Sequence, residues 1–485
     1  MYVRADLQLH SKFSRAVSRD MTIPNIAAWA RRKGIGLVAT GDWTHPLWFR
    51  DIQANLEEIG SGLLKLKPNI QEKSQASSIK SKTINDPLFL LATEISCIYS
   101  QGGKGRRIHI LVWVPTLVAA EKINHEMTKR GCNLMSDGRP IIGLSAIQIA
   151  ELVLSIEPKA LIIPAHAWTP WFSLYGSMSG FDSIDEAFGP YAKNIYAVET
   201  GLSSNPSMNW RIKELDGRSI VSFSDAHSGP KIGREATVFE LPQLNYENIC
   251  QAISQNTQNI RKPENQTIRN SEVPIHRQTE LSESSGPHIA YTIEFYPEEG
   301  KYHWSGHRAC NIRRSPDDTK KNGEMCPVCG KPMTQGVEQR VGELASRSEA
   351  ELQVSSIKYQ ASKDATVSMT VSKVFPKRPP FVMFVPLQEI IAECIGSPVA
   401  SPKVQTPYRQ LTDTFNGEFN VLLQAQHVKI AKIAGERVAV GIDKVREGDI
   451  AIDPGYDGVF GVVKIWREDE EKPLIDASKE QLSIF

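Results

Sequence analysis

Short apolar runs recur along the first half of the chain, separated by stretches with helical periodicity. The runs are ADLQLH, GLVATGD, LFLLATE, RIHILVWV, ALIIPAH, IYAVET and SIVSFSDAH, all before residue 240. Between several of them the apolar positions repeat at three and four residues, which predicts amphipathic helices over Ile23–Lys33, with Pro24 in its first turn, and over 145–154. A βα alternation of this kind predicts a barrel or a wound sheet.

Polar stretches punctuate the pattern. Segments 67–83, 254–285 and 346–366 are rich in Lys, Gln, Ser and Asn or Thr and read as mobile insertions or linkers. They divide the chain into a hydrolytic domain over 1–253 with an insertion near 67–83, a polar linker over 254–287, a cysteine-bearing block over 288–345, a polar insertion over 346–376, a C-terminal region over 377–466 and a tail over 467–485. The C-terminal region holds the apolar segment VPLQEIIAECIG, a helix-like stretch near 408–425 and a β-like end, PGYDGVFGVVKIW.

Residues able to hold metals end most of the apolar runs: His10, Asp42, Glu94, His166, Asp225 and His227. In parallel βα folds the strand ends share one face, so these side chains are expected to converge. His109 opens its run instead of ending it. A hairpin accounts for this: Glu94 ends one strand, QGGKGRR turns, and His109 starts the return strand at similar reach. Asp225 and His227 alternate along one strand and face one side. A set of imidazoles and carboxylates suits Zn²⁺, Mn²⁺ or Fe²⁺ better than Mg²⁺ alone. Paired divalent ions acidify a bridging water and stabilise the oxygens of a phosphoryl centre, so phosphate ester hydrolysis is the expected chemistry. Asp6 is expected to brace His10, and Glu199, ending IYAVET, is a further polar strand end.

The second half carries a different metal signal. His307 and Cys310 are followed by Cys326 and Cys329, two short knuckles with the layout of a structural tetrahedral zinc site. His303 is an alternative to His307. The block also holds Lys301, Arg308, Arg313, Arg314, Lys320, Lys321, Lys331 and Arg340, interleaved with Tyr302 and Trp304. Basic and aromatic groups on a small rigid module suit a nucleic-acid backbone and an unstacked base; a solvated surface on a scaffolding finger is the plainer alternative.

Composition narrows the choices. The 485 residues are 41% hydrophobic with a formal net charge of +1, so any basic surface is local. No apolar run reaches the roughly 20 residues of a membrane span, and the first residues lack a signal-peptide layout, so a cytoplasmic, nucleoid-associated protein is expected. Seven cysteines, three in one window, point to reduced thiols and a metal rather than to disulfides.

The motifs DLQLHS, ATGD, TEIS, IHIL, PAH and SDAH together resemble the polymerase and histidinol phosphatase (PHP) superfamily. The resemblance implies a distorted (β/α)7 barrel with two or three divalent metals (Zn, Mn or Mg). The implied ligands are His10, Asp42, Glu94, His109, His166, Asp225 and His227. The superfamily usually opens with His-x-His. Here Gln8, a weak neutral ligand, takes the first place, and Asp42 stands where many members have His. Asp225, which could bridge metals or orient the attacking water, is the most sensitive position expected, with His10 and His227 beside it in the catalytic set. His45 either caps the following helix or meets a phosphate.

The order of motifs carries the resemblance further. PHP motifs, then EEGKYHWSGHRACNIR, CPVCGKPMTQGVEQRVGELA, VPLQEIIAE and PGYDGVFGVV, with MTIPNIAAWAR, THPLWF, ETGLSSNPSMNWR and TPYRQLTDTF, look like the endonuclease Q family of DNA repair nucleases. That resemblance implies cleavage 5′ of uracil, hypoxanthine or xanthine and at abasic sites. A damaged base must leave the stack to be read. Trp171, Phe172 and Tyr175, in the segment after His166, are candidates to line the pocket, although core packing would equally explain them. Lys12, Arg15 and Arg211 are candidate phosphate contacts. The terminal Gln481-Leu482-Ser483-Ile484-Phe485 resembles the motif by which bacterial enzymes dock on the replication sliding clamp. A PHP phosphatase acting on a small ester, and a catalytically impaired DNA-binding protein, are the competing readings.

Overall fold

The computed structural model describes residues 1–70, 86–260, 286–362 and 365–467. The clamp-docking expectation for Gln481, Leu482, Ile484 and Phe485 lies outside the described residues, as does most of the 67–83 insertion.

Seven strands form a ring. Tyr2–Asp6 runs parallel to Leu37–Ala39, which runs parallel to the start of Leu88–Gln101. Leu88–Gln101 and Lys104–Val114 are an antiparallel hairpin closed at Gln101↔Lys104 by Gly102 and Gly103, whose φ values of 61° and 74° fit a two-residue turn. Lys104–Val114 pairs antiparallel with Leu161–Pro164, and Ala197–Glu199 pairs parallel with Ser219–Val221. Ala167 N donates to Glu199 O at 2.9 Å and His10 N to Ala226 O at 3.1 Å, which closes the circle. The antiparallel hairpin within an otherwise mostly parallel ring is the distortion in this α/β barrel. No helix among the described residues is long and apolar enough to cross a membrane.

Helices cover the ring as the periodicity predicts. Ile23–Lys33 buries Ile23, Ile26, Ala27 and Ala30 and stops at Gly34, whose φ of 82° lets its N–H return to Ala30 O and Arg31 O. The helix expected at 145–154 is Ala146–Ile156, started by a capping box between Ser145 and Gln148.

The sheet does not stop at the barrel. Ala236–Glu240 pairs antiparallel with Tyr2–Asp6 and with His288–Glu294, and His288–Glu294 runs parallel to Phe381–Met383. The first residues of the expected finger block therefore belong to the sheet. The expected polar insertion also differs: Val354–Ser362 and Ala365–Ser372 form a hairpin whose second strand pairs with Phe381–Met383. Its polarity misled because one face alone is covered, by Ala365, Val367 and Met369. A helical cluster from Leu387–Ile395 to Glu436–Glu447 packs behind it. It docks on the first helix through a buried pair, Lys33 Nζ to Glu418 Oε2 at 2.6 Å.

Candidate active site

The strand ends of the ring meet at one mouth. His10 Nε2 lies 3.1 Å from Asp225 Oδ1 and 3.6 Å from Glu94 Oε2. Ligand atoms of His10, Asp225 and His227 fall within 4.8 Å of one another, and so do those of Glu94, His109 and His166. The short gap between His10 and Glu94 makes the two groups neighbours. The hairpin delivers the second group: Ser96 faces His109 across the ladder, which puts Glu94 Oε1 2.6 Å from His109 Nδ1. His166 Nε2 lies 3.1 Å from the same nitrogen.

A second layer fixes these side chains. Asp42 faces the other nitrogen of His10, at 3.0 Å, and accepts from Ser11 N at 2.6 Å and Ser14 Oγ at 2.8 Å. Asp42 thus stands behind His10, outside both three-residue groups. Ser96 Oγ is 3.0 Å from His109 Nε2. Glu199 accepts the backbone N–H of His166 and, at 2.7 Å, that of Gly201. Asp6 does not brace His10; it accepts from Ser224 N, Ser224 Oγ and Gly233 N and so sets the turn that presents Asp225.

Charge is concentrated here. Burial opposes a charge on His10, yet Asp42, Asp225 and Glu94 hold its pKa well above the ordinary value. Burial likewise opposes Glu94, but His109 and Arg139 keep it well below the usual carboxylate range. His109 is pushed down to about 4 by burial, against the pull of Glu94. Glu199 is pushed up to about 8 by burial.

The structure separates the other expected residues. Gln8 reaches the mouth, with Nε2 donating to Glu94 Oε2 at 2.7 Å and Oε1 buried with no partner among the described residues. His45 caps its helix, accepting from Trp48 N at 3.4 Å and stacking on Phe13. Phe172 packs 4.9 Å from His109, and Trp171 meets Tyr302 edge-on at 5.4 Å. Tyr175 is fully buried, stacked on Trp168 and bonded to Glu214, so it is core and offers no face for a base. Lys12 pairs with Asp51 at 2.8 Å, and Arg15, mostly exposed, with Asp137 at 3.3 Å. The Arg211 carbonyl accepts from Ser346 N, and a Cβ at Gly342 would lie 3.8 Å from Arg211 Nη2, which places Arg211 against the finger block. Sequence reasoning missed Arg139, Ser96 and Arg234. Arg139 donates to Glu94 Oε1 at 3.2 Å, and Arg234 Nε to Ser224 O at 2.8 Å. Ser96, two residues past Glu94 on its strand, had a period-two signal; Arg139 lies in a turn and had none.

In the second half of the chain, His307, Cys310, Cys326 and Cys329 gather with ligand atoms within 4.8 Å. The hairpin Ser305–His307 with Ile312–Arg314 supplies the first knuckle. In the second, Gly330 N donates to Cys326 O at 2.9 Å with φ at 69°. His303 lies apart, 3.6 Å from Glu338. The basic residues divide: Arg314 caps the helix Pro316–Asn322, Arg313 pairs with Asp453, Arg340 holds Tyr175 O, and Arg308 N donates to Asp457 at 2.6 Å.

Residues 386–449 match the family described as MJ0043 C-terminal domain. An uncharacterized Methanocaldococcus jannaschii protein, MJ0043, is 30% identical over 61% of this chain, and the match spans 31% of that protein's length. The uncharacterized Bacillus subtilis protein YqxK is 27% identical over 95% of this chain and 99% of its own. The crystal structure of the lesion-specific endonuclease PfuEndoQ from Pyrococcus furiosus superposes with a TM-score of 0.73 at 29% identity, covering all of both chains. A structure of Endonuclease Q with a 27-mer duplex bearing an abasic lesion at its active site superposes at 0.72, also at 29% identity, over 98% of this chain and all of that one. In fold and over its full span the chain is an endonuclease Q-like protein.

Proposed function

We propose that the protein is a metal-dependent DNA endonuclease that recognises deaminated bases (uracil, hypoxanthine, xanthine) and abasic sites and cuts the phosphodiester 5′ of the lesion. The observation that carries the reading is the pair of adjoining metal-competent groups, His10–Asp225–His227 and Glu94–His109–His166, set 3.6 Å apart at His10 and Glu94. The solved relative with lesion DNA at its active site supports the substrate class.

The donor set fits divalent ions. Imidazoles and carboxylates match Zn²⁺ or Mn²⁺, and the buried, unpartnered Gln8 Oε1 is a carbonyl oxygen able to complete a coordination shell. His10, Asp225 and His227 would hold one ion and Glu94, His109 and His166 another. Bound there, the ions supply Lewis acidity toward phosphate oxygens and acidify a water. The chain does the rest. Asp42 and Ser96 fix the outward nitrogens of His10 and His109, so that the inward nitrogens face the mouth. Phe172 beside His109 and Trp171 beside Tyr302, both half-buried, offer aromatic faces to an extruded base. The four-residue finger cluster would hold a structural zinc and fix the basic block against the barrel. Docking of the terminal QLSIF on a sliding clamp is part of the same proposal.

Oligonucleotides with one uracil, hypoxanthine, xanthine or abasic site, incubated with Mn²⁺, test this. The expected result is a nick 5′ of the lesion with 3′-hydroxyl and 5′-phosphate ends, lost on chelation and in Asp225→Asn. Phosphate release from small esters with no nicking of any duplex would replace the reading with a phosphatase.

A further inference from the structure

Arg139 is delivered to the mouth by a tightly held turn. Asp137 Oδ1 accepts from Arg139 N at 3.1 Å and from Arg15 N at 3.4 Å. Gly138 N donates to Phe13 O at 3.1 Å, and Pro140 O accepts from Ser96 N at 3.0 Å. The turn is thereby fixed between the loop after His10 and the strand that bears Glu94.

The guanidinium it presents has one hydrogen-bond partner among the described residues, Glu94 Oε1 at 3.2 Å. It has five N–H donors in a planar fork, and 22% of the side chain reaches solvent. Most of its donors are therefore uncommitted at a mouth that also holds Asp225. A permanent cation beside Glu94 takes up negative charge that a divalent ion would use, and it repels that ion directly. If metal binding were the only task here, this placement would work against it. An anion entering the mouth reverses the balance, because two phosphate oxygens match the fork.

Resting on the nuclease reading above, we propose that Arg139 binds the scissile phosphate, as a substrate-contacting residue and not as a brace for Glu94. The two roles predict opposite signs. A brace, once removed, loosens Glu94, and metal affinity falls along with activity. A phosphate contact, once removed, leaves metal affinity unchanged or higher, while anion affinity and turnover fall.

The experiment titrates Mn²⁺ calorimetrically into wild type, Arg139→Lys and Arg139→Ala, then measures inhibition of lesion nicking by inorganic phosphate. Thermal melting identifies any variant that has not folded, and Arg139→Lys, which keeps the charge, serves if the alanine variant is lost. The expected result is Mn²⁺ affinity equal to or tighter than wild type, with phosphate inhibition weakened about 10-fold or more, as for a lost hydrogen bond to a charged group. Nicking falls in both variants, and millimolar guanidinium restores part of it to Arg139→Ala. Mn²⁺ affinity that drops in step with nicking, or unchanged phosphate inhibition, overturns the proposal. A wild-type protein that nicks no lesion overturns the nuclease reading instead, so the two failures are told apart.

Discussion

Three residues at the mouth adopt a backbone conformation that side chains rarely tolerate. Asp42, His166 and Asp225 have φ of 43°, 30° and 47°. Each ends an apolar run, and each is forced to turn sharply where its strand stops, which is the kind of strain that surrounding structure must hold in place. For Asp42 the holding group is Gly138: a Cβ there would lie 2.4 Å from both Asp42 Oδ2 and Ser14 Oγ. Gly138→Ala is therefore expected to push Asp42 off His10 and to lower nicking about 10–100-fold, as other losses behind a metal ligand do. Overpacking should cost about 1–3 kcal/mol of stability. Nicking kinetics with a urea melt check this; wild-type rates would show that Asp42 is not the support for His10. The same scale shows what the sequence disclosed. His10, Asp42, Glu94, His166, Asp225 and His227 were legible because each breaks an apolar run at its end. Arg139 was not, because a turn residue between Gly138 and Pro140 has no periodicity. Tyr175 was named beside Trp171 and Phe172 because an aromatic residue looks alike whether it stacks on a ligand or in a core.

Among the elements, the hairpin and the first helices follow directly from pattern, since period two and period 3.6 differ strongly in long runs. The hairpin within 354–372 was hidden because its exposed positions, Ser356, Lys358, Gln360 and Thr366 beside the lone Ile357, have mostly the composition of a linker. The strand His288–Glu294 falls in the expected finger block because its pairing partners, Ala236–Glu240 and Phe381–Met383, are too distant in sequence to leave a local trace. That strand carries a carboxylate into the seam with the barrel. Burial pushes Glu294 up to about 7, against Ser222 and Thr292, and Glu235 nearby is raised well above its ordinary value by burial and by Glu294. A carboxyl with a raised folded pKa keeps its proton in the fold and loses it in the unfolded chain. Stability is then greatest below the unfolded value near 4.5 and declines as pH rises toward 7. Glu294→Gln mimics the protonated form. It is expected to match wild type at pH 5 and to exceed it at pH 8 by on the order of 2 kcal/mol, read as a higher melting temperature. A variant less stable than wild type at pH 8 would mean that the ionised carboxylate is the form the seam needs.

At the scale of the whole molecule, one continuous sheet joins the barrel to the C-terminal region, while the finger block is attached by backbone bonds to the chain end, such as Trp304 N to Gly455 O at 2.9 Å, and to the barrel loop by side chains. Arg340, on the helix Val337–Leu344, is the main attachment to the loop after His166. Its Nε donates to Tyr175 O at 3.0 Å, its Nη2 reaches Phe181 O at 3.4 Å, and it pairs with Asp182. From the other side Asp457 accepts from Arg308 N and Thr334 Oγ1, both at 2.6 Å, so the C-terminal strands clasp the finger as well. The loop that Arg340 holds carries Trp171, which touches Tyr302 of the finger block, and Phe172, which touches His109. Arg340 thus fixes the register between the block proposed to grip DNA and the residues proposed to face the lesion. Arg340→Ala leaves two carbonyls unpaired and frees the loop, at a cost of about 1–3 kcal/mol, but it touches no ligand of either metal-competent site. The expected result is unchanged zinc and Mn²⁺ content, faster hydrogen exchange over 168–181, and a raised KM for lesion duplex with a smaller change in kcat. If exchange in that loop and KM both stay at wild-type values, the finger keeps its register without Arg340, through Asp457 and the backbone bonds to the chain end.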